Sequence, residues 1–206
     1  MNDKRSLSER DICTKYITPA LVQAGWNLHR QIREEVSFTK GRIIVRGKLH
    51  ARGEQKRADY ILYYKSNIPL AVIEAKENSC SIGAGMQQAL NYADTLGVPF
   101  VFSSNGDGFL LHDRTGLAER IEQELTLDAF PSPAQLWQRY CQWKGLESIE
   151  ARHTVEISYF DDGTGRTPRY YQASAINNTV EAVAKGQQRI LLVMATGTGK
   201  TYTAFQ

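Results

Sequence analysis

The sequence has 206 residues, of which 42% are hydrophobic and 23% charged, so it has the composition of a globular protein and room for one full domain and part of another. No apolar run reaches the ~18 residues of a membrane-spanning helix, and the polar start MNDKRSLSERD lacks the apolar core of a signal peptide. We therefore expect a cytoplasmic protein with no membrane partner. Cys13, Cys80 and Cys141 form no CxxC pair, which argues against a zinc site or a disulfide framework.

The net charge is only +3, but nine Lys or Arg residues stand against three acidic residues between Arg30 and Arg57. This local excess fits a surface that binds nucleic acid. It also fits a solvated charged loop, and charge alone favours that second interpretation.

The first predicted element is a helix from Leu7 to Gln23, which Pro19 bends or divides. Ser6 followed by Glu9 predicts a capping box at its start. A short strand is predicted at 43–45. The stretches 58–64 and 70–75 are rich in strand-forming residues, and the turn between them predicts an antiparallel hairpin.

A helix is then predicted at 83–96, followed by strands at 99–103 and 109–112. This order predicts an α/β fold with a mixed β-sheet flanked by helices. The stretch 113–150 is interpreted as a connecting region with helical pieces.

A second unit is expected from Tyr170 onward. Its helix is predicted at 172–184, and the apolar run Ile190–Met194 predicts a buried strand that leads into a Gly-rich turn.

Three charged residues lie on the predicted hairpin: Asp59 on its first strand, and Glu74 and Lys76 at the end of its second. Residues two apart in a strand share a face, so Glu74 and Lys76 project together, and Asp59 can meet them across the strand pair. Mg²⁺ is typically held by one or two carboxylates, and a neighbouring lysine can assist a water that attacks a phosphate. The alternative is a surface hairpin whose charges have no catalytic role.

ADYILYY followed by IEAKE resembles the signature of the PD-(D/E)xK nucleases, with Asp59, Glu74 and Lys76 at its three positions and Ala58 where that signature has proline. The resemblance implies a restriction-endonuclease-like fold. It also implies phosphodiester hydrolysis, with a metal held by Asp59, Glu74 and the backbone carbonyl of Ala75.

Gln88 and Tyr92 resemble the Gln-x-x-x-Tyr motif of the RecB-like branch of these nucleases, which implies an auxiliary role near DNA or the metal-binding residues. Helix packing for Tyr92 and a solvated Gln88 remain the alternative. Glu9 resembles the acidic residue on the first helix of such nucleases, and a helix-capping role for Glu9 is equally compatible with the sequence.

The stretch ILLVMATGTGKT predicts a strand, a tight turn and a helix. Glycines let backbone N–H groups approach phosphates, while the lysine and the following threonine bind the β- and γ-phosphates and Mg²⁺. The strict phosphate-loop pattern has glycine where this sequence has Met194. The ATP-binding candidates are Gly197, Thr198, Gly199, Lys200, Thr201, Gln172 and Arg169.

The variant ATGTGKT resembles the Walker A motif of superfamily 2 helicases, which implies the beginning of a P-loop RecA-like domain. Arg169 and Gln172 resemble the adenine-reading segment of those motors. A polar residue that merely opens a helix is the alternative for Gln172. No Walker B acid follows, so we expect at most weak ATP binding and an incomplete motor.

A nuclease signature followed by the start of such a motor resembles the restriction (HsdR) subunit of type I restriction enzymes. The resemblance implies a nuclease domain at 1–115, a helical linker at 116–165 and the start of the translocase at 166–206. It further implies cleavage of double-stranded DNA after ATP-driven translocation, together with modification and specificity subunits. Two alternatives remain: a nuclease-like module that binds DNA or a partner without catalysis, and an ATP-dependent switch.

Overall fold

The computed structural model describes residues 4–39, 43–46, 49–52, 55–161 and 163–206. The side chains of residues 38–56 lie outside this description, and with them most of the basic segment between Arg30 and Arg57. The helices are α1 (Glu9–Ile12), α2 (Thr18–Gln23), α3 (Met86–Leu96), α4 (Pro133–Lys144), α5 (Ile149–Glu156), α6 (Tyr170–Ala184) and α7 (Lys200–Phe205). The strands are β1 (Ile32–Thr39), β2 (Ile43–Arg46), β3 (Leu49–Arg52), β4 (Gln55–Tyr63), β5 (Pro69–Ala75), β6 (Phe100–Ser104), β7 (Gly108–Asp113) and β8 (Glu122–Thr126).

Six strands form one mixed sheet in the order β1-β4-β5-β6-β7-β8, and β2 and β3 form a separate hairpin. Strands β5 and β6 are parallel, whereas the other neighbours are antiparallel. Parallel neighbours need a crossover, and α3 supplies it. The prediction of an α/β fold with a mixed sheet flanked by helices is therefore confirmed.

Apolar side chains are packed on both faces of the sheet. The larger core joins sheet residues such as Phe100 and Phe102 to Ile12, Leu21 and Trp137 from the helices. The smaller core packs α3 against the other face of β4, β5 and β6. Because both faces are covered, β5 and β6 are buried along almost their whole length.

The first helix differs from its prediction at two places. Ser8, not Ser6, caps it, and Ser8 forms the capping box with Asp11, so the predicted Ser6–Glu9 box is wrong. A π-helical turn, Cys13–Ile17, separates α1 from α2, and the Thr18 N–H donates to the Cys13 carbonyl across it. Pro19 follows directly, and the wider turn gives room for a ring that would clash with the carbonyl four residues earlier.

The hairpin of β4 and β5, the helix α3 and the strands β6 and β7 confirm the predicted elements in the middle of the chain. Strands β1, β3 and β8 were not predicted. β8 falls inside the stretch interpreted as a connecting region and extends the main sheet by pairing with β7.

The predicted buried strand Ile190–Met194 is wrong: this run has no strand conformation, and Leu191 and Val193 are 88% and 83% exposed. A strand needs neighbours that satisfy its backbone groups, and no described strand pairs with this run. Across the ranges that the structure covers, no helix has both the length and the apolarity to span a membrane.

Candidate active site

The candidate site lies where β4 and β5 run side by side. Tyr60 pairs with Ile73, so Asp59 and Glu74 are the next residues along the two strands. Asp59 Oδ2 accepts a hydrogen bond from the Ala75 backbone N–H at 2.8 Å. A side-chain carboxylate thus takes the place of a backbone acceptor, which fixes the Asp59 carboxyl group between the two strands.

Glu74 is buried, with 2% of its surface exposed. Its Oε1 accepts a hydrogen bond from Lys76 Nζ at 3.0 Å, whereas its buried Oε2 has no hydrogen-bond partner among the described residues. Burial, followed by repulsion from Asp59, raises the pKa of Glu74 to about 7. Ionising a buried carboxylate oxygen that has no partner is costly, and a bound cation would remove that cost.

Lys76 is positioned through its backbone and its side chain. Its N–H donates to the Ser104 carbonyl at 2.8 Å, which continues the β5–β6 pairing by one residue. Its Nζ lies 3.0 Å from Glu74 Oε1 and 3.5 Å from Glu9 Oε1. Burial by itself lowers the pKa of Lys76, but the hydrogen bond to Glu74 and the surrounding carboxylates outweigh burial and raise it. Lys76 therefore carries a proton at neutral pH.

Three acidic side chains surround this one ammonium group. Burial is the main cause that raises the pKa of Asp59; the Ala75 N–H and Lys76 oppose it, and Glu9 adds to it. The structure thus brings Asp59, Glu74, Lys76 and Glu9 together, and their charges leave an excess of negative charge that favours a cation.

No group of three or more His, Cys, Asp or Glu side chains in the described part of the chain is arranged to hold a metal. Mg²⁺ does not require one, since it commonly takes one or two carboxylates and completes its shell with water and substrate oxygens. Asp59, Glu74 and the Ala75 carbonyl fit that pattern, and the unpartnered Glu74 Oε2 is the atom that such an ion would satisfy.

Gln88 and Tyr92 lie one turn apart on α3, and Gln88 Nε2 donates to the Tyr92 hydroxyl at 2.7 Å. Tyr92 is buried while Gln88 is exposed. Burial raises the pKa of Tyr92, and the charges of Glu74 and Asp59 contribute to the shift. Tyr92 is therefore electrostatically coupled to the acidic pair, and its auxiliary role stays a prediction.

Gly85 and Ser103 are site residues that the sequence analysis missed. The Gly85 N–H donates to Ser103 Oγ at 3.0 Å, and a Cβ added at Gly85 would lie 2.9 Å from Glu74 Cγ. Only glycine lets the start of α3 approach Glu74 so closely. Gly85 lies inside the helix predicted at 83–96, and a glycine near the start of a helix that follows a motif strand is the signal that could have indicated it.

Glu35 on β1 is the second missed feature. The β1–β4 ladder pairs Glu34 with Tyr60 and Val36 with Ala58 but skips Glu35 and Asp59 between them. Glu35 has φ +54°. Such a backbone conformation lowers the stability of the fold by about 1–3 kcal/mol, whereas an exposed ion pair raises it by only about 0–1 kcal/mol.

Glu35 binds two arginines beside the acidic pair. Its Oε1 pairs with Arg10 from α1 and with Arg57 from β4. A cavity of about 160 Å³ is lined by all three of these side chains together with Glu9 and Asp59. Arg57 also acts electrostatically on Asp59, where it works to lower the pKa.

The predicted ATP-binding loop has the backbone that its glycines favour. Gly197 and Gly199 have φ +79° and +83°, and α7 begins at Lys200. Lys200 Nζ donates to the Met194 carbonyl at 3.1 Å, and Thr198 Oγ1 donates to Ala195. The lysine is thus held on the loop itself.

Gln172 is buried at the start of α6 and contacts this loop. Its Nε2 donates to the Thr198 carbonyl at 2.9 Å, and its Oε1 accepts from the Arg169 N–H at 2.9 Å. Both ends of the amide are engaged within the chain, so reading adenine would require a contact from its second N–H or a rearrangement. Thr201 is exposed, and Arg169 Nη1 donates to the Tyr171 hydroxyl.

Helix α6 also reaches the domain that carries the acidic pair. Glu181 is buried between the Tyr140 hydroxyl and Lys144 Nζ, the latter at 2.8 Å. Asn177 Nδ2 donates to the Asn67 carbonyl at 2.8 Å, next to the turn between β4 and β5.

Two family models match the chain. "Type I restriction enzyme R protein N terminus (HSDR_N)" matches residues 27–127, which include Asp59, Glu74 and Lys76. "Type III restriction enzyme, res subunit" matches residues 166–206, which include the predicted ATP-binding loop.

Among curated proteins, the endonuclease subunit of the Escherichia coli type I restriction enzyme EcoAI is 56% identical over 202 residues, covering 98% of this chain and 25% of the relative. The endonuclease subunit of the Escherichia coli K12 enzyme EcoKI is 29% identical over 195 residues, covering 74% of this chain and 16% of the relative. The chain therefore spans a quarter or less of the length of these curated relatives.

A solved fragment assigned as an HsdR subunit of a type I restriction enzyme from Vibrio vulnificus YJ016 is similar with a TM-score of 0.82 and 44% identity, covering 97% of this chain and 37% of that one. The fold, the order of the two matched regions and the identity to EcoAI agree, and the chain belongs to the family of type I restriction enzyme HsdR subunits, of which it carries the N-terminal domain and the beginning of a helicase-like region.

Proposed function

We propose that the domain around Asp59 and Glu74 is a Mg²⁺-dependent nuclease that hydrolyses phosphodiester bonds of double-stranded DNA. The observation that carries this proposal is the convergence of Asp59, Glu74 and Lys76 around a buried carboxylate oxygen that has no partner among the described residues. A structural ion pair alone would leave no reason for that unsatisfied oxygen.

Asp59, Glu74 and the Ala75 carbonyl would hold the metal. When bound, Mg²⁺ supplies a Lewis acid at the scissile phosphate and lowers the pKa of a water. The Ala75 N–H orients Asp59 beforehand, and the close approach of Gly85 to Glu74 Cγ limits the space around the Glu74 side chain. Such preorganisation lowers the cost of reaching the productive geometry.

Lys76 contributes a fixed positive charge. Its proton is retained at neutral pH because the neighbouring carboxylates stabilise the ammonium form. The ammonium group can orient the attacking water and offset negative charge that develops on the phosphate. Glu9 and Glu74 hold Lys76 Nζ from two sides, which restricts the position of that charge.

The remaining roles belong to the same proposal. It includes the domain limits 1–115, 116–165 and 166–206. It also includes auxiliary roles for Gln88, Tyr92 and Glu9, and ATP binding through Gln172, Arg169 and the loop from Gly197 to Thr201. The proposed partners are double-stranded DNA and the modification and specificity subunits of a type I restriction complex.

The test uses the full-length subunit that contains this chain, assembled with its partner subunits. Asp59→Asn keeps the side-chain shape and removes the charge that would hold the metal. We expect plasmid cleavage with Mg²⁺ to fall by at least about 100-fold while ATP hydrolysis continues, since the two centres are separate. Asp94→Asn, on the exposed side of α3, serves as the matched control. Undiminished cleavage by Asp59→Asn would contradict the proposed function.

A further inference from the structure

We propose that Arg10 and Arg57 form a DNA phosphate-binding site beside the nuclease centre, and that Glu35 occupies this site in the absence of DNA. The inference rests on the proposed function and names the residues that grip the DNA backbone next to it. The carboxylate of Glu35 takes the place that a phosphate oxygen takes when DNA is bound.

The geometry of the three side chains carries the proposal. A single oxygen, Glu35 Oε1, accepts a hydrogen bond from Arg10 and forms an ion pair with Arg57. The two arginines come from different elements, α1 and β4, yet converge on one anionic atom. Two guanidinium groups aimed at one oxygen are the arrangement that recognises phosphate.

The location of this cluster agrees with the proposed chemistry. Arg10, Arg57 and Glu35 line the same cavity as Asp59 and Glu9. A larger cavity, of about 420 Å³, continues past Arg10 along Thr14 of the π turn and Thr18 of α2. Arg10 lines both cavities, so a DNA backbone that follows this depression passes the arginines on its way to Asp59.

The backbone of Glu35 supplies an independent observation. Glu35 is the one non-glycine residue with positive φ in the described part of the chain. The ion pairs of Glu35 are exposed, so solvent weakens them. Their stabilisation is smaller than the cost of the left-handed backbone conformation. Strain of this kind is concentrated at ligand-binding and catalytic sites.

Competition between Glu35 and DNA follows from these observations. While the Glu35 carboxylate is paired with both arginines, their positive charge is largely neutralised. A weak or misplaced DNA contact therefore gains little binding free energy. A DNA phosphate that is placed to contact both guanidinium groups displaces Glu35 and takes over its two ion pairs. Glu35 therefore lowers non-specific DNA affinity at the nuclease centre.

The experiment measures binding of the 206-residue chain to a fluorescently labelled 30-base-pair DNA duplex by fluorescence anisotropy. EDTA is present throughout, so that no cleavage occurs, and the salt concentration runs from about 50 to 200 mM. The variants are Arg10→Ala, Arg57→Ala, Glu35→Gln and Glu35→Gly. Arg114→Ala, which removes an arginine paired with Asp94 away from the cavity, is the control.

We expect Arg10→Ala and Arg57→Ala each to weaken binding several-fold and to reduce the slope of log K against log salt by about 1. Both Glu35 variants should bind several-fold more tightly than the parent, and Arg114→Ala should match the parent. Glycine removes the backbone strain as well as the charge, so tighter binding by both variants assigns the effect to the lost carboxylate.

Unchanged affinity and salt slope in both arginine variants would overturn the inference, as would a parent chain that does not bind the duplex. Weaker binding by both Glu35 variants would overturn the competition between Glu35 and DNA. These outcomes are independent of the nuclease proposal, because binding is measured without metal and with Asp59 intact.

Discussion

The site around Asp59 and the loop around Lys200 both contain recognisable motifs, but they differ in what surrounds them. Asp59 and Glu74 sit on strands whose neighbours are present, and Glu74 is almost completely buried. Lys200 follows an apolar run that has no strand partner among the described residues and is largely exposed.

The difference shows which properties of a motif are local. Glycines by themselves allow the backbone of the predicted ATP-binding loop, so Gly197 and Gly199 adopt left-handed conformations although no described strand pairs with the run before them. A buried charged side chain, in contrast, exists only where the surrounding core is complete. Burial is the largest cause of the raised pKa of Glu74, and its Oε2, which has no partner among the described residues, is buried because β5 is covered on both faces.

The largest expected effect is on amide hydrogen exchange. Amides of β5 and β6 should exchange at least about a thousand-fold more slowly than those of residues 190–194, because the former open only when the sheet unfolds. Exchange measured by mass spectrometry on peptides from the two regions tests the comparison. Equal protection would mean that Ile190–Met194 forms a paired strand in solution.

The second prediction contrasts two glycines. Gly85→Ala places a methyl group 2.9 Å from Glu74 Cγ and should destabilise the sheet domain by about 1–3 kcal/mol. Gly199→Ala strains a left-handed position and pushes against Gln172, but it should leave the unfolding of the sheet domain unchanged. Tryptophan fluorescence during thermal unfolding separates the two, since Trp26, Trp137 and Trp143 all lie in or against the main core.

A drop of several degrees in the unfolding midpoint for Gly85→Ala alone is the expected result. Equal drops for both variants would show that the predicted ATP-binding loop and the sheet unfold as one unit, which would remove the contrast between the two regions.

The smallest expected effect concerns pH. The pKa of Glu74 is about 7 in the folded chain against an ordinary value of 4.5, so the folded state holds the proton more tightly. Glu74 therefore lowers the free energy of unfolding as the pH rises from about 4.5 to about 7. In EDTA, Glu74→Gln should be more stable than the parent by on the order of 1–2 kcal/mol at pH 8 and equal to it at pH 4.

Urea unfolding at the two pH values measures this effect, and Lys200→Gln, on the exposed loop, provides the control from the other region. The measured quantity is the difference in the free energy of unfolding between Glu74→Gln and the parent. If this difference is no larger at pH 8 than at pH 4, the result would contradict the raised pKa of Glu74.

Much of the middle of the fold was predictable from local signals. ADYILYY and LAVIEA are strand formers separated by turn residues, and the same stretch carries Asp59, Glu74 and Lys76. Because alternation along a strand determines which side chains share a face, the contact between Glu74 and Lys76 followed from the sequence. The predicted end of the helix at residue 96 is also correct, since α3 ends at Leu96.

The rest depends on contacts that are distant in sequence. IREEVSFT on β1 lacks a clear apolar alternation, and only pairing with β4 makes it a strand. The same holds for EQELT on β8. Nothing in the sequence around Glu35 indicates its left-handed backbone, since that conformation arises where the ladder skips Glu35 and Asp59. Ile190–Met194 shows the reverse case, an apolar run that needs strand neighbours and has none among the residues that the structure describes.

The π turn between Cys13 and Ile17 sets the rotational phase of the first helix. Each residue of an α-helix advances by about 100° around the helix axis. Ile17 and Leu21 anchor the helix in the core. Because the π turn holds one more residue than an α-helical turn, it rotates the residues before the turn by about 100° relative to these two anchors. Glu9 and Arg10 lie before the turn. Their approach to Lys76 and Glu35 therefore depends on the number of residues in the turn as much as on their chemical identity, and a one-residue deletion there would aim both side chains elsewhere while every residue of the motifs remained.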